Sequence, residues 1–384
     1  MGQTPSLKGD ELTCHTLSMT NPDFVVIGGG IAGMSAAAEL ALDANVLVLE
    51  MESALGFHST GRSAAYFSPA YGNAVVRTIT AASEPFFFHP PVSFTDVPLI
   101  RARDRLFIAR ADQLASADKI RAELTELEVL DPAAVSGKVE ILNNTAIGLF
   151  SSEGGDIDVN ALLQGYIRLF SQRGGQLEVN AEVRSIEKVD SGWRVGTKSS
   201  SYTSATLVNA AGAWADHIAD LAGLGALGIQ AKRRTAILVD APADIDVGDW
   251  PMVVDVDEQF YFKPDAGQLL VSPADETPMM ACDVQPEEID VAVAVDRFMN
   301  ATSLNVTRVN HKWAGLRSFA PDNTFVLGYD PRVSGFFWLA GQGGYGIQSS
   351  PGMSQLVAHA LLDRSIESNL GAQLDRIAPD RLID

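Results

Sequence analysis

The chain has 384 residues, 46% apolar and 20% charged, enough for two or three domains with sizeable cores. Its 48 acidic against 28 basic side chains leave a net charge of −20, a field that repels phosphate backbones and anionic lipid heads and so excludes nucleic-acid partners. Two cysteines, Cys14 and Cys282, exclude a disulfide framework and a cysteine-rich metal or iron–sulfur site, and no apolar run reaches the 18 residues of a transmembrane helix. No metal site is expected.

Residues 1–19 have no apolar signal-peptide core and are expected to form a disordered leader. Met1-Gly2 with Ser6 fits the myristoylation pattern at so few positions that chance accounts for it better. The expected location is cytoplasmic, compatible with peripheral association at the inner membrane. The ordered pattern begins at Asp23. Phe24-Val25-Val26-Ile27 is a β-branched apolar run, predicted as a buried parallel strand. Gly28-Gly29-Gly30-Ile31-Ala32-Gly33 follows with G-x-G-x-x-G spacing, and residues 31–42 have the small and helix-forming residues of a helix packed on a sheet. A second strand over 45–49 ends in Glu50, 22 residues beyond Gly28.

Each part of this unit has a physical assignment. Gly28 permits the tight turn, Gly30 lets backbone N–H groups approach a pyrophosphate, and Gly33 permits close helix–strand contact. Glu50 is placed to accept hydrogen bonds from ribose hydroxyls. Strand, glycine motif, helix, second strand and terminal acid together predict dinucleotide binding, without deciding FAD from NAD. Residues 56–66 (GFHSTGRSAAY) then form a loop of small and hydroxyl residues in which Ser59, Thr60 and Ser63 can donate to phosphates or ring atoms.

Further along, residues 97–110 and 234–272 alternate apolar and polar, as half-solvated antiparallel strands do. Residues 111–135 read as one exposed helix, and 285–300 as an amphipathic one. Residues 205–211 form another apolar strand ending in Gly212. Residues 336–340 form a strand feeding the glycine-rich loop 341–346, with a helix expected from Ser350. Two glycine-rich strand-to-helix turns at opposite ends of the chain suit a long ligand such as FAD better than NAD.

The ordered motifs VVIGGGIAG, HSTGRSAA (58–65), GGDIDVNALLQGY (154–166), LVNAAGAWAD (207–216), KRRTA (232–236), DWPMVVD (249–255), WAGLRSFAPD (313–322) and GQGGYGIQSSP (341–351) carry a resemblance. From Asp23 onward the chain resembles the FAD-dependent amine oxidoreductases of the D-amino-acid oxidase and glycine oxidase (DAO) type, and within them the bacterial D-arginine dehydrogenase-like subgroup of D-amino-acid dehydrogenases. The implied fold class is α/β (α+β), a Rossmann-like FAD-binding domain with an inserted, mainly antiparallel substrate-binding domain. The expected division gives 20–90, 146–225 and 318–384 to the FAD-binding domain, and 91–145 and 226–317 to the substrate-binding domain.

The resemblance implies noncovalent FAD, since neither cysteine stands where such families link a flavin and His58 is not an expected anchor. Its cofactor-binding positions are Gly28, Gly30, Ile31, Ala32, Gly33, Glu50, Met51, Ser59, Thr60, Gly61, Arg62, Ser63, Ala64, Ala65, Val183, Ala211, Gly212, Trp214, Arg317, Gly343, Gly344, Tyr345, Gly346, Ile347 and Gln348. A substrate carboxylate calls for arginine, whose planar fork binds two oxygens at once. Arg317 resembles the carboxylate-binding arginine, Tyr261 a partner whose hydroxyl reaches the same carboxylate, and Tyr71 a lid-loop tyrosine; these three are the expected catalytic residues. Tyr66, Arg105, Arg234, Met252, Val254 and Gly344 match substrate-pocket positions, with the Gly344 carbonyl facing the amine.

Two departures bear on specificity. Tyr66 stands where the family's lid often carries histidine. Arg105 falls where D-arginine-type enzymes place an acid, which favours acidic or neutral substrates over D-arginine, whereas a one-residue slip would turn Asp104 inward and reverse this.

The implied reaction is oxidative deamination of a D-amino acid to a 2-oxo acid and ammonia, by hydride transfer from Cα to flavin N5. No oxygen-activating lysine is evident, so a quinone or other acceptor is expected. None of His15, His58, His89, His217, His311 or His359 forms an acid–base constellation. Two alternatives stay open: an oxidase of glycine- or sarcosine-type amines, and a flavin-binding subunit of a heteromeric dehydrogenase. Oligomeric state is not readable, and a monomer is compatible with everything above.

Overall fold

The computed structural model describes residues 21–124 and 126–383. The expected leader, with Cys14, His15 and the Met1-Gly2 pattern, lies outside the described residues.

The glycine motif sits at the centre of a six-stranded sheet. Its order is Val326–Tyr329, Phe336–Ala340, Thr206–Asn209, Phe24–Ile27, Val46–Leu49, Gln176–Glu178, with only the first strand antiparallel to its neighbour. Phe24–Ile27 and Val46–Leu49 are buried along their whole length, as strands covered on both faces must be. Helices Ile31–Leu40, Val159–Gln172 and Gly346–Leu362 fill one face. The other is closed by the three-stranded sheet Ser185–Val189, Gly192–Gly196, Ser201–Ser204 and the helix Ala215–Leu221.

A nine-stranded sheet forms the second layer. It runs Thr277–Met279, Gln230–Asp240, Gln268–Ser272, Tyr261–Asp265, Met252–Asp255, Arg105–Ala109, Ile147–Ser151, Glu128–Leu130, with Val309–Phe319 paired along Gln230–Asp240. Only Met252–Asp255 and Arg105–Ala109 run parallel. Helix Glu288–Ala301 buries one face. The opposite face carries Tyr261, Ala236 and Leu270, with Met252, Val254 and Trp313 packed beside them, and it looks toward the glycine-rich loops. The fold is therefore mixed α/β, with a Rossmann-like sheet and a mainly antiparallel second sheet.

Local differences from expectation have local causes. Ile147–Ser151, grouped above with the cofactor domain, hydrogen-bonds antiparallel to Arg105–Ala109 in the second sheet; an apolar run of this length carries no mark of which sheet it joins. The helix expected over 111–135 is divided into Leu114–Glu123 and Pro132–Lys138, with the strand Glu128–Leu130 between them. Asp131 restarts the second helix by accepting the Ala134 N–H at 2.8 Å, with Pro132 in its first turn. The C-terminal helix begins at Gly346 and runs through Pro351 instead of starting at Ser350.

Candidate functional site

The strand ends at the middle of the six-stranded sheet open into an elongated cleft that encloses about 1700 Å³, the solvent at its mouth included. Such a crevice lies where strand order reverses, here between Phe24–Ile27 and Thr206–Asn209.

The first glycine loop is built by close backbone approach. Gly28 has φ +111°, and a Cβ there would stand 2.4 Å from the Ala210 carbonyl oxygen. At Gly33 a Cβ would stand 1.9 Å from the Gly28 carbonyl oxygen, so Gly33 lets the helix seat on the turn and does not itself line the cleft. Glu50 is buried, and its carboxylate accepts from the Gly29 N–H at 2.7 Å and the Glu52 N–H at 2.9 Å. Each oxygen retains a second lone pair for a ligand hydroxyl. Gly30 caps the Ile31–Leu40 helix without a side-chain hydrogen bond, and the Ile31 N–H is taken by Thr60 Oγ1 at 3.0 Å. Tyr345, at the start of Gly346–Leu362, likewise caps without its side chain. Two helix N-termini thus enter one cleft, each bringing backbone N–H groups and a positive dipole end.

Of the expected cofactor positions, Gly28, Gly30, Ile31, Ala32, Glu50, Met51, Ser59, Thr60, Arg62, Ser63, Ala64, Val183, Ala211, Gly212, Trp214, Arg317, Gly343, Gly344, Gly346 and Ile347 come together along this cleft. Gly61, Ala65, Tyr345 and Gln348 stand behind the lining. Gln348 is buried and spans from the Ser68 backbone to Thr80 Oγ1, tying the C-terminal helix to the 68–72 turn. Arg62 lines the cleft, yet its guanidinium is held by Asp283 and by the carbonyls of Val284 and Ala314. Ser59 Oγ donates to the Leu316 carbonyl. These two residues brace the loop, a function their polarity alone did not reveal.

Several lining residues were not anticipated. His58 pairs with Glu52 at 2.9 Å and stacks beside Phe57 and Trp214, and His217 also faces the cleft. Gln342 is the most informative. Its Nε2 is buried without a hydrogen-bond partner although the residue lines the cleft, and an unpartnered buried donor costs about 1–3 kcal/mol unless something accepts from it. Its place in the 341–346 loop was the only available signal.

At the end of the cleft nearest the second sheet, Arg317 projects from Val309–Phe319 and donates from Nη1 to the Tyr71 hydroxyl at 3.1 Å. Among the described residues no carboxylate lies within ion-pair distance of it. Burial works against its charge, but the hydroxyls of Tyr71 and Tyr261 and the Glu276 carboxylate more than offset this and hold the guanidinium pKa above its ordinary value. Tyr261 and Arg234 line the same end. The Arg234 guanidinium is occupied by the Asp275 carbonyl and by Glu276. Tyr71 sits edge-on to Tyr345, with ring centroids 4.9 Å apart. A Cβ on Gly344 would meet Arg317 at 2.9 Å and the Tyr71 hydroxyl at 3.1 Å, so a larger residue would have to push those side-chain ends aside.

Met252, Val254, Tyr66 and Arg105 lie beyond this end and outside the cleft lining. The Tyr66 hydroxyl donates to the Arg103 carbonyl at 2.9 Å. Arg105 opens its strand, is buried and pairs with Met252, whereas Asp104 precedes the strand and is half-buried, so it is Arg105 that is turned inward.

The cleft fits FAD on this structure's own features: two helix N-termini whose cap residues supply no side-chain hydrogen bond, a buried carboxylate at the second strand end, glycines that allow close backbone approach, and the orphan donor of Gln342. Glu50, Gly30, Ile31 and Ala32 would hold the adenosine and pyrophosphate part, and the 343–347 loop the far end.

Comparisons agree. A family model described as FAD dependent oxidoreductase (DAO) matches residues 23–360. FAD-dependent oxidoreductase domain-containing protein 1 of Xenopus laevis is 26% identical over 185 residues, 43% of this chain and 36% of that protein, so the match spans about a third of that relative's length. A glycerol 3-phosphate dehydrogenase of Caloramator mitchellensis is 25% identical over 363 residues, 88% of this chain and 73% of its own. Among solved structures, glycine oxidase from Geobacillus kaustophilus superposes with a TM-score of 0.79 at 20% identity, covering 90% of this chain and 96% of its own. L-proline dehydrogenase from P. horikoshii does so with 0.79 at 18%, covering 94% and 97%. These structures share the fold.

Proposed function

Because the chain belongs to the DAO family of FAD-dependent oxidoreductases, we propose that it oxidises D-amino acids to 2-oxo acids and ammonia, as a dehydrogenase of the kind typified by the D-arginine dehydrogenase subgroup. The observation that carries this reading is Arg317, a guanidinium without a carboxylate partner at the closed end of a dinucleotide cleft, flanked by the hydroxyls of Tyr71 and Tyr261. That set is suited to a carboxylate: the arginine fork takes two oxygens, and the Tyr261 hydroxyl, which makes no hydrogen bond to protein among the described residues, donates a third bond.

FAD, bound noncovalently, supplies the two-electron acceptor for the hydride lost from Cα. The chain's own residues do the rest. Arg317 and Tyr261 fix the carboxylate and so orient the Cα–H bond. The Gly344 carbonyl accepts from the amine. Tyr71, in the turn that spans 68–72, closes over the bound substrate and excludes water. Among the described residues His58 is paired with Glu52, and Glu276 with Lys232 and Arg234, so neither is a free general base. The substrate reacts as the neutral amine, and the released imino acid is hydrolysed in water. Arg105 supports a preference for acidic or neutral side chains over D-arginine, and a quinone or other carrier is the proposed acceptor.

The test is anaerobic mixing of the flavin-loaded protein with acidic, neutral and basic D- and L-amino acids, glycine, sarcosine and glycerol 3-phosphate, following the oxidised flavin band. Bleaching by D-isomers and not L-isomers is the expected result. Bleaching by glycine and sarcosine alone, or by glycerol 3-phosphate alone, would replace the reading with the corresponding donor.

A further inference from the structure

Four cationic side chains are fully buried among the described residues: Arg103, Arg105, Arg233 and Lys263. Arg103 and Lys263 share Asp156, and Arg233 meets Asp275, Glu287 and Asp290. Arg105, only 5% exposed, has no carboxylate within ion-pair distance among the described residues. Its Nη1 donates to Ser68 Oγ, its Nε has no partner, and its guanidinium lies over the Phe107 ring at 4.9 Å. Glu153, the carboxylate whose field reaches it, is exposed and makes no ion pair with it. A buried guanidinium held by one neutral hydroxyl is a cation awaiting an anion.

Its position relative to Arg317 gives that observation a direction. Arg105 pairs with Met252, and Val254 pairs with Tyr261, so Arg105, Met252, Val254 and Tyr261 occupy one face of three adjoining strands. The two apolar side chains bridge from Tyr261 in the cleft to Arg105. One tight turn covers both cations. The Tyr71 N–H donates to the Ser68 carbonyl at 3.2 Å, Ser68 contacts Arg105, and Tyr71 contacts Arg317. Both guanidinium groups are thus stoppered by neutral hydroxyls of a single turn, and a carboxylate would displace either with a stronger, bidentate pair.

We propose that Arg105 is a second anion-binding group of this site, so that the substrate carries two carboxylates, one held at Arg317 and one at Arg105, with its aliphatic part on Met252 and Val254. The inference rests on the reading of Arg317 above and adds the substrate class: an amino acid with an acidic side chain, or one bearing a carboxyalkyl group on nitrogen.

The deciding experiment is a binding titration that needs no turnover. Flavin-loaded protein is titrated with acetate, propionate and butyrate, and with malonate, succinate and glutarate, read by the flavin absorbance change and by calorimetry. At least one dicarboxylate is expected to bind about tenfold or more tighter than its chain-matched monocarboxylate. Arg105→Gln should bring that ratio close to one, and Arg105→Lys should keep part of it. A ratio near one in the unaltered protein overturns the proposal whether or not the variants fold, and so does a ratio that Arg105→Gln leaves unchanged. Anaerobic reduction by D-aspartate and D-glutamate against N-carboxymethylglycine then locates the second carboxylate; neither arm exceeding D-alanine in affinity also counts against it. Arg105-dependent dicarboxylate binding without reduction by any amino acid would sink the amine-oxidation reading alone. Reduction by D-amino acids with no dicarboxylate preference would sink the second anion site alone.

Discussion

Arg317 Nη1 and the Tyr71 hydroxyl meet at 3.1 Å although 246 residues separate them in the chain. The arginine stands on a rigid eleven-residue strand, whereas the tyrosine rides on a turn followed by Gly72 at φ +86°. One partner belongs to a long paired strand and the other to a tight turn, the arrangement that the proposed clamp and lid would need.

Removing the two partners should therefore have unequal effects. Tyr71→Phe deletes one neutral hydrogen bond and should lower kcat/KM by about 5- to 10-fold, or ~1 kcal/mol. Arg317→Met removes the charge and both fork donors and should lower it by roughly 100-fold or more. Anaerobic stopped-flow reduction measures both; equal losses would refute the division between clamp and lid.

Gly28→Ala should abolish flavin loading. Its Cβ would lie 2.4 Å from a backbone oxygen in a conformation that L-residues rarely adopt. Because the obstacle is backbone, no side chain can yield. The expected outcome is purified protein without the flavin band and with a lower Tm, and normal flavin content would show the loop to be more compliant than this geometry allows.

Glu50→Gln keeps the shape at the second strand end but weakens acceptance from the Gly29 N–H. FAD affinity should fall by about tenfold, from loss of one charge-assisted hydrogen bond to protein and one to ligand. Fluorescence titration of the apoprotein with FAD reads this directly, and an unchanged Kd would exclude Glu50 from the ligand.

Asp330 offers a stability test remote from the site. Burial pushes its pKa up, but Arg332 and the Trp338 N–H outweigh burial and hold it below its ordinary 3.8. A depressed carboxylate pKa contributes stability that is present above pH 3.8 and is lost as pH falls through the folded-state value. Asp330→Asn should thus destabilise by about 2 kcal/mol near pH 7. In denaturant titrations the gap from the unaltered protein should narrow below pH 3.8; a gap independent of pH would mean that packing, not charge, is what Asp330 supplies.

The amino-acid sequence carried the dinucleotide unit in full, because strand, glycine turn, helix and Glu50 lie within one short stretch and act through local backbone geometry. It also singled out Arg317, Tyr71 and Tyr261, which the fold brings to one end of the cleft. What it could not carry was occupancy. Arg62 and Arg105 read alike as cations near the site, yet Arg62 is held by Asp283 and two carbonyls while the hydrogen bond of Arg105 goes to the neutral Ser68 hydroxyl. Gln342 gave no sign that its amide would be buried and left unpaired. The sheet to which Ile147–Ser151 belongs was equally hidden. Local order follows from near-neighbour sterics and periodicity, which a sequence displays directly. Which charge finds a partner depends on strands brought together from hundreds of residues apart, and that is decided only when the two sheets close on the cleft.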